Sequence, residues 1–355
     1  HPGAAVFVTG CYAEAYPDEP AAVPGVAGVY GRGEWNALLE AANGAPLPAT
    51  GGRIQGDFGI RSFDGRARAF LKVQEGCDSL CSYCILPRVR GEPRSRPLAE
   101  VHEEAARLAA AGFAEVVLTG IHTGLYGRDL PGRPSLARAI LGAAETPGIE
   151  RVRLSSIQAN EVNEELLEAM AHPAVCAHLH VPLQSGDADV LRRMNRRYTP
   201  EEFLRVVELA RSRLDNPAVT TDVMVGFPGE TDAEFESTLA VCRAARFSRT
   251  HVFPFSPRPG TLAAQMDGRV PAGVVRERGR RLRELGSQLA AEWAQAFVGS
   301  RVRVLFECCT PPGRLSGYTE RYVRLTAPGD PALTGRTARV HCTARKGASL
   351  VGRLE

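Results

Sequence analysis

The residues best suited to chemistry in this sequence are three closely spaced cysteines, Cys77, Cys81 and Cys84. Their spacing would also place them on one face of a helix, where they would be core residues. Gly76 before the run and Pro87 after it favour a loop instead. Three thiolates in one short loop can hold three corners of a cubane iron-sulfur cluster, whose protein ligands are characteristically cysteines. The run therefore predicts such a cluster, with its fourth iron open to another ligand.

A structural zinc ion is the alternative occupant of this loop. Structural zinc sites are closed by four protein ligands and the run supplies three, so zinc would need a distant histidine as well. Disulfides are not expected, because nine cysteines are few for 355 residues and an odd number cannot all pair within one chain. Cys176, Cys242 and Cys342 lie outside the run and are expected to be small buried residues.

An alternation of short apolar strands with longer amphipathic helices positions the cysteine run. The predicted strands lie near 69–74, 115–119, 151–155, 178–182, 219–225 and 251–255. The clearest helices lie at 98–111, 200–213 and 232–245. This alternation predicts parallel β/α units, and six of them predict an α/β fold with an open, partial barrel. Active sites of such barrels lie at the carboxyl ends of the strands, and the cysteine run directly follows the first strand.

The regions on either side of these units have different patterns. A buried strand at 5–10 and a short helix at 34–40 predict a remnant α/β domain, followed by a glycine-rich linker at 51–59. Because the chain starts at His1 inside this domain, we expect a segment upstream. A helix at 274–296 closes the barrel, and short strands with turns then predict a small C-terminal β-barrel. The predicted domains are residues 1–60, 61–296 and 297–355.

Charge is unevenly distributed along the chain. The formal net charge is +3, but residues 301–355 contain ten basic and four acidic side chains. Such an excess is typical of a module that binds a polyanion, although a solvated basic surface would have the same composition. The sequence contains neither a run of eighteen apolar residues nor a signal peptide, so we expect a cytoplasmic protein with no membrane association.

The three-cysteine loop after the first barrel strand resembles the radical S-adenosylmethionine superfamily. The resemblance implies that Cys77, Cys81 and Cys84 bind a 4Fe-4S cluster whose open iron is chelated by S-adenosylmethionine. One electron from the reduced cluster then cleaves S-adenosylmethionine, and the resulting 5′-deoxyadenosyl radical abstracts a hydrogen from the substrate. The resemblance also implies a low-potential electron donor such as flavodoxin or ferredoxin.

The same resemblance implies that residues at successive strand ends bind S-adenosylmethionine. These residues are Tyr83, Gly120, His122, Gln184, Ser185, Gly226 and Arg258. His178 and His180 alternate with Leu179, so they share one face of the fourth strand. They would line the barrel interior near the cofactor, or they would be core histidines with satisfied hydrogen bonds.

The arrangement as a whole is similar to the methylthiotransferases, which combine an N-terminal domain carrying a second cluster, a radical barrel and an RNA-binding barrel called TRAM. The segment Val8-Thr9-Gly10-Cys11-Tyr12 matches the family segment that holds the third cysteine of the N-terminal domain. The segments for the first two would precede it. The resemblance therefore assigns only Cys11 to the auxiliary 4Fe-4S cluster of the full-length protein. We expect this chain to cleave S-adenosylmethionine reductively but to methylthiolate weakly or not at all.

Short segments indicate which substrate the resemblance implies. The stretch 118–127, Leu-Thr-Gly-Ile-His-Thr-Gly-Leu-Tyr-Gly, is similar to the branch that acts on N6-threonylcarbamoyladenosine at position 37 of tRNA, in the anticodon loop. Alternatives are the branch that acts on N6-dimethylallyladenosine (i6A) at position 37 and the branch that acts on a ribosomal protein. From another class, a zinc-stabilised RNA-binding scaffold without catalysis would contain the same cysteine run.

The C-terminal region supports an RNA substrate by its composition. Aromatic residues alternate with arginines there, a pattern that suits stacking on unpaired bases beside phosphate contacts. Tyr318 and Tyr322 would alternatively be core residues of the barrel. The residues predicted to bind RNA are Arg314, Tyr318, Arg321, Tyr322 and Arg324.

Overall fold

The computed structural model describes residues 3–44, 66–311 and 313–355. The linker predicted at 51–59 lies outside the described residues. In the N-terminal part, two parallel strands pair and three short helices accompany them. These elements are β1 (Val6–Thr9), α1 (Cys11–Ala15), α2 (Asp18–Ala21), β2 (Val26–Tyr30) and α3 (Trp35–Asn43). The sequence pattern predicts β1 and α3 but not β2, which is short and has Gly28 at its centre.

The partial barrel consists of parallel strands that follow one another in chain order. Its strands are β3 (Arg68–Glu75), the short β4 (Arg94–Ser95), β5 (Glu115–Gly120), β6 (Arg151–Leu154), β7 (His178–His180), β8 (Ala218–Val225) and β9 (Arg249–Pro254). Strands β3, β5 and β6 form one parallel set and β7, β8 and β9 another, and a bridge between Ser156 and His180 joins the two. β4 pairs antiparallel at the outer edge of β3. The predicted open, six-stranded partial barrel is confirmed.

Helices cover the outside of the barrel. They are α4 (Leu86–Arg90), α5 (Leu98–Ala110), α6 (Leu136–Ala144), α7 (Glu164–Met170), α8 (Ala188–Arg193), α9 (Pro200–Arg213), α10 (Asp232–Ala245) and α11 (Ala272–Gln295). The clearest predicted helices have the clearest start signals: Thr199 and Glu202 form a capping box on α9, and Thr231 and Glu234 form one on α10. Ala69, Leu71 and Val73 of β3 are fully buried in the core beneath these helices. Their alternate neighbours therefore point into the barrel.

A closed five-stranded barrel occupies the described C-terminal residues and confirms the predicted β-barrel. Its strands are β10 (Arg301–Thr310), β11 (Arg314–Thr319), β12 (Arg324–Pro328), β13 (Thr337–Lys346) and β14 (Ser349–Leu354), in the spatial order β10-β11-β12-β14-β13. Its core includes Phe306 and Leu325 and extends to Phe297, just beyond the end of α11. No helix among the described residues has the length and apolarity that a membrane span requires.

Buried charges fasten the C-terminal barrel to the partial barrel. Glu115 lies 2.7 Å from Arg151 and 3.0 Å from Arg153, and all three side chains are almost fully buried. The two guanidinium groups also donate hydrogen bonds to the backbone carbonyls of Tyr318 and Thr319. Buried charges are tolerated only when they are paired and hydrogen-bonded. This cluster therefore fixes how the two barrels are docked.

Candidate functional site

The cysteine loop connects β3 to α4 at the carboxyl end of the first barrel strand. All three thiols are free and partly exposed. The backbone N–H of Cys77 donates to the Gly91 carbonyl at 3.0 Å, and the N–H of Cys84 donates to the Cys81 carbonyl at 3.0 Å. Ser82, between the cysteines, bonds through its backbone to Met194 at 3.1 Å and to Ala263 at 2.7 Å. The loop, not a helix, is therefore the observed structure, as predicted, and neighbouring segments hold it in place.

The thiols are arranged more widely than one metal ion requires. Ligands of a single zinc ion lie about 2.3 Å from it, so all of them lie close to one another. The ligand atoms of Cys77, Asp78 and His122 lie within 4.8 Å of one another, but this group includes neither Cys81 nor Cys84. A polynuclear cluster has separate corners for separate thiolates. The donor set therefore fits an iron-sulfur cluster better than zinc.

His122 lies directly against the cysteine loop. Its Nδ1 is 3.3 Å from the Cys77 sulfur, and its Nε2 is 2.5 Å from Glu161 Oε1 and 2.8 Å from Gln158 Nε2. Burial lowers the pKa of His122, but the hydrogen bonds to Cys77 and Glu161 outweigh burial and raise that pKa to about 9. Burial raises the pKa of Cys77, but the hydrogen bonds with His122 and Ser79 together outweigh burial and lower that pKa. His122 is thus placed to donate a hydrogen bond to a thiolate.

Gly76 allows the chain to enter the cysteine loop. Its φ is +75°, and a Cβ atom there would overlap the backbone carbonyl of Glu92. We predict that Gly76→Ala displaces the loop and strongly reduces iron incorporation on reconstitution, measured as iron and sulfide per chain. Gly112→Ala is the matched control, because Gly112 also has a positive φ, +90°, but a Cβ atom there would meet nothing within 4 Å. Equal iron content in the two variants would contradict the prediction.

Tyr83, a predicted cofactor residue in the cysteine loop, packs against an apolar cluster of the barrel. Its ring belongs to an apolar cluster with Met224 of β8 and with Phe253 and Phe255 at the end of β9. This cluster lies between the cysteine loop and the interior of the barrel. Its role in binding S-adenosylmethionine stays a prediction.

Two other predicted cofactor positions, Gly120 and Gln184, lie at strand ends that face the loop. Gly120 ends β5, and a Cβ there would lie 3.0 Å from the side chain of Gln74. Gln184 follows β7 with a φ of +63°, is buried, and its side-chain Oε1 has no hydrogen-bond partner among the described residues. An unpaired buried amide oxygen is suited to a bound ligand.

The remaining cofactor predictions are differently placed. Ser185 is fully buried, and its hydroxyl lies 3.3 Å from the Thr238 hydroxyl on α10, so it is committed to helix packing. Gly226 has a φ of +76° and faces Val275 of α11, which explains the glycine without a ligand. Arg258 is exposed beyond β9. For Ser185 and Gly226 the sequence pattern alone did not distinguish close packing from close approach of a ligand.

Arg90 links Cys11 to the cysteine loop. The Arg90 guanidinium is 3.0 Å from the Cys11 sulfur and 2.9 Å from Glu75 Oε1. Arg90 precedes Gly91, whose carbonyl accepts the Cys77 N–H. The N-terminal part of the chain therefore presents its cysteine to the same end of the barrel as the three-cysteine loop.

A cavity of about 560 Å³ occupies the barrel interior. Most of its wall comes from residues that the sequence analysis did not single out, such as Thr220, Asp222 and His251. The strand period gives the signal that would find them, because they extend the inward face on which His178 and His180 lie. The lining residues are Arg66, Ala67, Arg68, Phe70, Val117, Arg153, Leu154, Ser155, Ser156, His178, His180, Thr220, Asp222, His251, Glu307 and Tyr322.

Three residues predicted to bind RNA lie at the junction of the two barrels. The rings of Tyr318 and Tyr322 stack at 4.8 Å, and the Arg153 guanidinium lies 4.9 Å from the Tyr322 ring centre. Arg321 donates to the Asp215 carboxylate and the Asn216 carbonyl of the partial barrel. These side chains make contacts within the protein, and their role in binding RNA stays a prediction. Arg314 and Arg324 are exposed.

Comparisons with known proteins agree with this site. A model of the radical SAM superfamily matches residues 71–242. The cobalamin-dependent S-adenosylmethionine radical enzyme OxsB shares the fold, with a TM-score of 0.50 and 12% identity over 79% of this chain and 43% of that one. The partial barrel and its cysteine loop define a radical S-adenosylmethionine enzyme.

The names of similar proteins indicate which family of radical S-adenosylmethionine enzymes the chain belongs to. "Threonylcarbamoyladenosine tRNA methylthiotransferase MtaB" of Thermotoga maritima is 38% identical over 351 residues, 97% of this chain and 80% of that protein. The protein of the same name from Bacillus subtilis is 37% identical over 96% of this chain and 78% of its own length. "tRNA-2-methylthio-N(6)-dimethylallyladenosine synthase" of Parafrankia sp. is 42% identical over 75% of this chain and 56% of that protein.

The chain belongs to the radical SAM tRNA methylthiotransferase family, in its MtaB-type branch. It is an enzyme of tRNA methylthiolation. Its cofactors are those predicted from the sequence: S-adenosylmethionine, a 4Fe-4S cluster and a second, auxiliary 4Fe-4S cluster.

Proposed function

We propose that this chain converts N6-threonylcarbamoyladenosine at position 37 of tRNA, in the anticodon loop, to its 2-methylthio derivative. The names of the MtaB relatives support this substrate, because they specify threonylcarbamoyladenosine. The observation that carries the proposal is a cavity of about 560 Å³ inside the barrel whose wall carries many polar side chains. In this proposal Cys77, Cys81 and Cys84 hold the radical 4Fe-4S cluster.

The bound cluster and S-adenosylmethionine would supply a 5′-deoxyadenosyl radical for hydrogen abstraction from carbon 2 of the adenine. The protein's share is to hold the thiolates, position the substrate and exclude competing reactions. His122 orients toward Cys77 because Glu161 engages its other ring nitrogen. Tyr83 and the apolar cluster around it keep water from the space between the loop and the barrel interior.

Strand geometry relates the cavity to the cysteine loop. Asp222 and His251 line the cavity, and Met224 and Phe253, two residues further along the same strands, pack with Tyr83 of the loop. Residues two apart on a strand point to the same side and lie about 7 Å apart along it. The cavity therefore lies one layer of side chains below the loop, a suitable depth for the reacting nucleoside.

The chemistry of the cavity wall favours a polar N6 substituent. His180, Asp222 and His251 place their polar atoms within 4.8 Å of one another. A threonylcarbamoyl group has N–H, hydroxyl and carboxylate groups to pair with polar atoms of such a wall, whereas a dimethylallyl group has no polar atom to offer. Sites built to hydrogen-bond a substrate discriminate strongly against analogues that lack those groups. This is the physical basis for choosing the threonylcarbamoyl substrate over the dimethylallyl one.

The remaining partners are proposed on similar grounds. Arg314 and Arg324 are exposed on the C-terminal barrel and would contact tRNA phosphates. Cys11, next to Arg90, would contribute to the auxiliary cluster. A low-potential donor such as flavodoxin or ferredoxin would reduce the radical cluster.

Deuterium transfer tests the substrate without requiring sulfur insertion. The chain is reconstituted anaerobically with iron, sulfide and S-adenosylmethionine, then given anticodon stem-loops deuterated at carbon 2 of adenosine 37. We predict deuterium in 5′-deoxyadenosine with threonylcarbamoyl-modified RNA, and much less with dimethylallyl-modified or unmodified RNA. Mass spectrometry of the nucleosides measures both the label and any methylthio product. Greater transfer from dimethylallyl-modified RNA would refute the proposed substrate.

A further inference from the structure

His178 has an unsatisfied hydrogen-bonding atom at the cavity. Its side chain is buried, with 4% of its surface exposed, and it lines the cavity. Its Nε2 is 3.0 Å from the Thr220 hydroxyl, but its Nδ1 has no partner among the described residues. Buried polar atoms are normally paired, so an orphan atom in a cavity wall indicates a missing ligand group. The Ser155 hydroxyl, which also lines the cavity, is buried and unpartnered as well.

A hydrogen-bond chain runs from His178 through Thr220 and His180 to Asp222. This chain determines whether His178 Nδ1 donates or accepts a hydrogen bond. His180 Nε2 is 3.1 Å from Asp222 Oδ2, and its Nδ1 is 2.9 Å from the Thr220 hydroxyl. A carboxylate only accepts, so the single proton of a neutral His180 lies on Nε2 and its Nδ1 accepts. The Thr220 hydroxyl then donates to His180 and accepts from His178 Nε2–H. His178 Nδ1 is left as a lone pair.

The surroundings keep His178 neutral and fixed. Burial, and then the nearby Arg153 cation, hold the pKa of His178 well below its ordinary value. The Tyr322 ring lies 5.0 Å from the imidazole, and the backbone of Tyr322 has a φ of +58°, unusual for an aromatic residue. The C-terminal barrel thus provides a positioning residue for the cavity. Thr220 and Tyr322 contact the imidazole from two sides and so fix the direction of the Nδ1 lone pair.

We infer that His178 is a specificity-determining residue whose Nδ1 accepts a hydrogen bond from the ureido N–H beyond N6 of the modified adenosine. This inference rests on the proposed function. A threonylcarbamoyl substituent offers this ureido N–H, whereas unmodified and dimethylallyl adenosine carry N–H groups only at N6. An acceptor buried in the wall rejects any ligand that cannot donate to it, because the acceptor then loses its water without gaining a partner.

The test measures RNA binding by the reconstituted chain, with fluorescence anisotropy and anticodon stem-loops that differ only at position 37. His178→Phe keeps a ring of similar size without the acceptor, and His178→Asn restores an acceptor near the same place. We predict that His178→Phe weakens binding of threonylcarbamoyl RNA about tenfold and leaves unmodified RNA unaffected, while His178→Asn retains most of the affinity. His341→Phe, outside the cavity, is the matched control.

Two further experiments identify the N–H donor of the substrate and provide a second variant in case His178→Phe misfolds. Stem-loops with an added N6-methyl group lack the N6–H and keep the ureido N–H, so retained discrimination by His178 assigns the ureido group. Thr220→Val leaves the imidazole in place but removes its anchor, and a several-fold loss for modified RNA alone is expected.

Each outcome decides one of the two proposals. An unchanged preference in both His178→Phe and Thr220→Val would overturn the role of His178 while leaving the proposed substrate intact. If the parent chain does not prefer threonylcarbamoyl RNA, the proposed substrate fails and the inference fails with it.

Discussion

Replacing Cys81 with serine is expected to abolish both iron-sulfur incorporation in the barrel and the reductive cleavage of S-adenosylmethionine. The loop offers three thiolates to the four irons of a cubane cluster. Loss of one thiolate therefore leaves two irons without protein ligands. The sulfur of Cys81 also lies 3.6 Å from the Arg196 guanidinium, a charge that a thiolate balances better than a serine hydroxyl. Iron and sulfide analysis measures the first loss, and chromatography of 5′-deoxyadenosine measures the second.

Cys308→Ser is the matched control for this prediction, because Cys308 is exposed on β10, in the other barrel. It should retain both the cluster and cleavage. A Cys81→Ser protein that still produced 5′-deoxyadenosine would show that another group holds the cluster. Zinc in the parent chain after anaerobic reconstitution, without iron or sulfide, would instead favour the scaffold without catalysis.

Replacing Glu115 with glutamine should cause a large loss of stability. The change keeps the shape but leaves Arg151 and Arg153 buried without their carboxylate partner. Breaking a buried ion pair in this way costs about 3–5 kcal/mol of unfolding free energy. Denaturant unfolding followed by circular dichroism measures the shift in midpoint. Glu277→Gln, on the exposed side of α11, should change it little.

Glu115→Gln also tests how the stabilisation by the Glu115 carboxylate depends on pH. Burial opposes ionisation of Glu115, but Arg153 and Arg151 outweigh burial and hold the pKa of Glu115 below its ordinary value of 4.5. A lowered pKa in the folded state stabilises the fold fully above the unfolded-state pKa, and that stabilisation is lost as the pH falls through the folded-state pKa. The stability difference between the parent chain and Glu115→Gln should therefore shrink below about pH 4.5. A difference that grows on acidification would contradict the assignment.

Local patterns in the sequence were enough to predict the catalytic barrel. Helix α9 is predicted with the bounds Pro200–Arg213 that the structure has, because a capping box and a proline at its first position mark its start. The strand period correctly places His178 and His180 on one face. Gly76 and Pro87 correctly indicate a loop around the cysteines. Each of these signals lies within about a dozen residues of what it determines.

Only the tertiary structure decided what the same residue types do when distant segments meet. Tyr322 and Arg321 fit the pattern of an RNA-binding surface, yet they pack against the partial barrel, because aromatic and arginine side chains suit a domain interface equally well. The acceptor on His178 depends on Thr220 and Asp222, about forty residues along the chain, which lie on the neighbouring strand. A hydrogen-bond chain and a cavity wall both depend on distances between segments, and a linear sequence does not contain those distances.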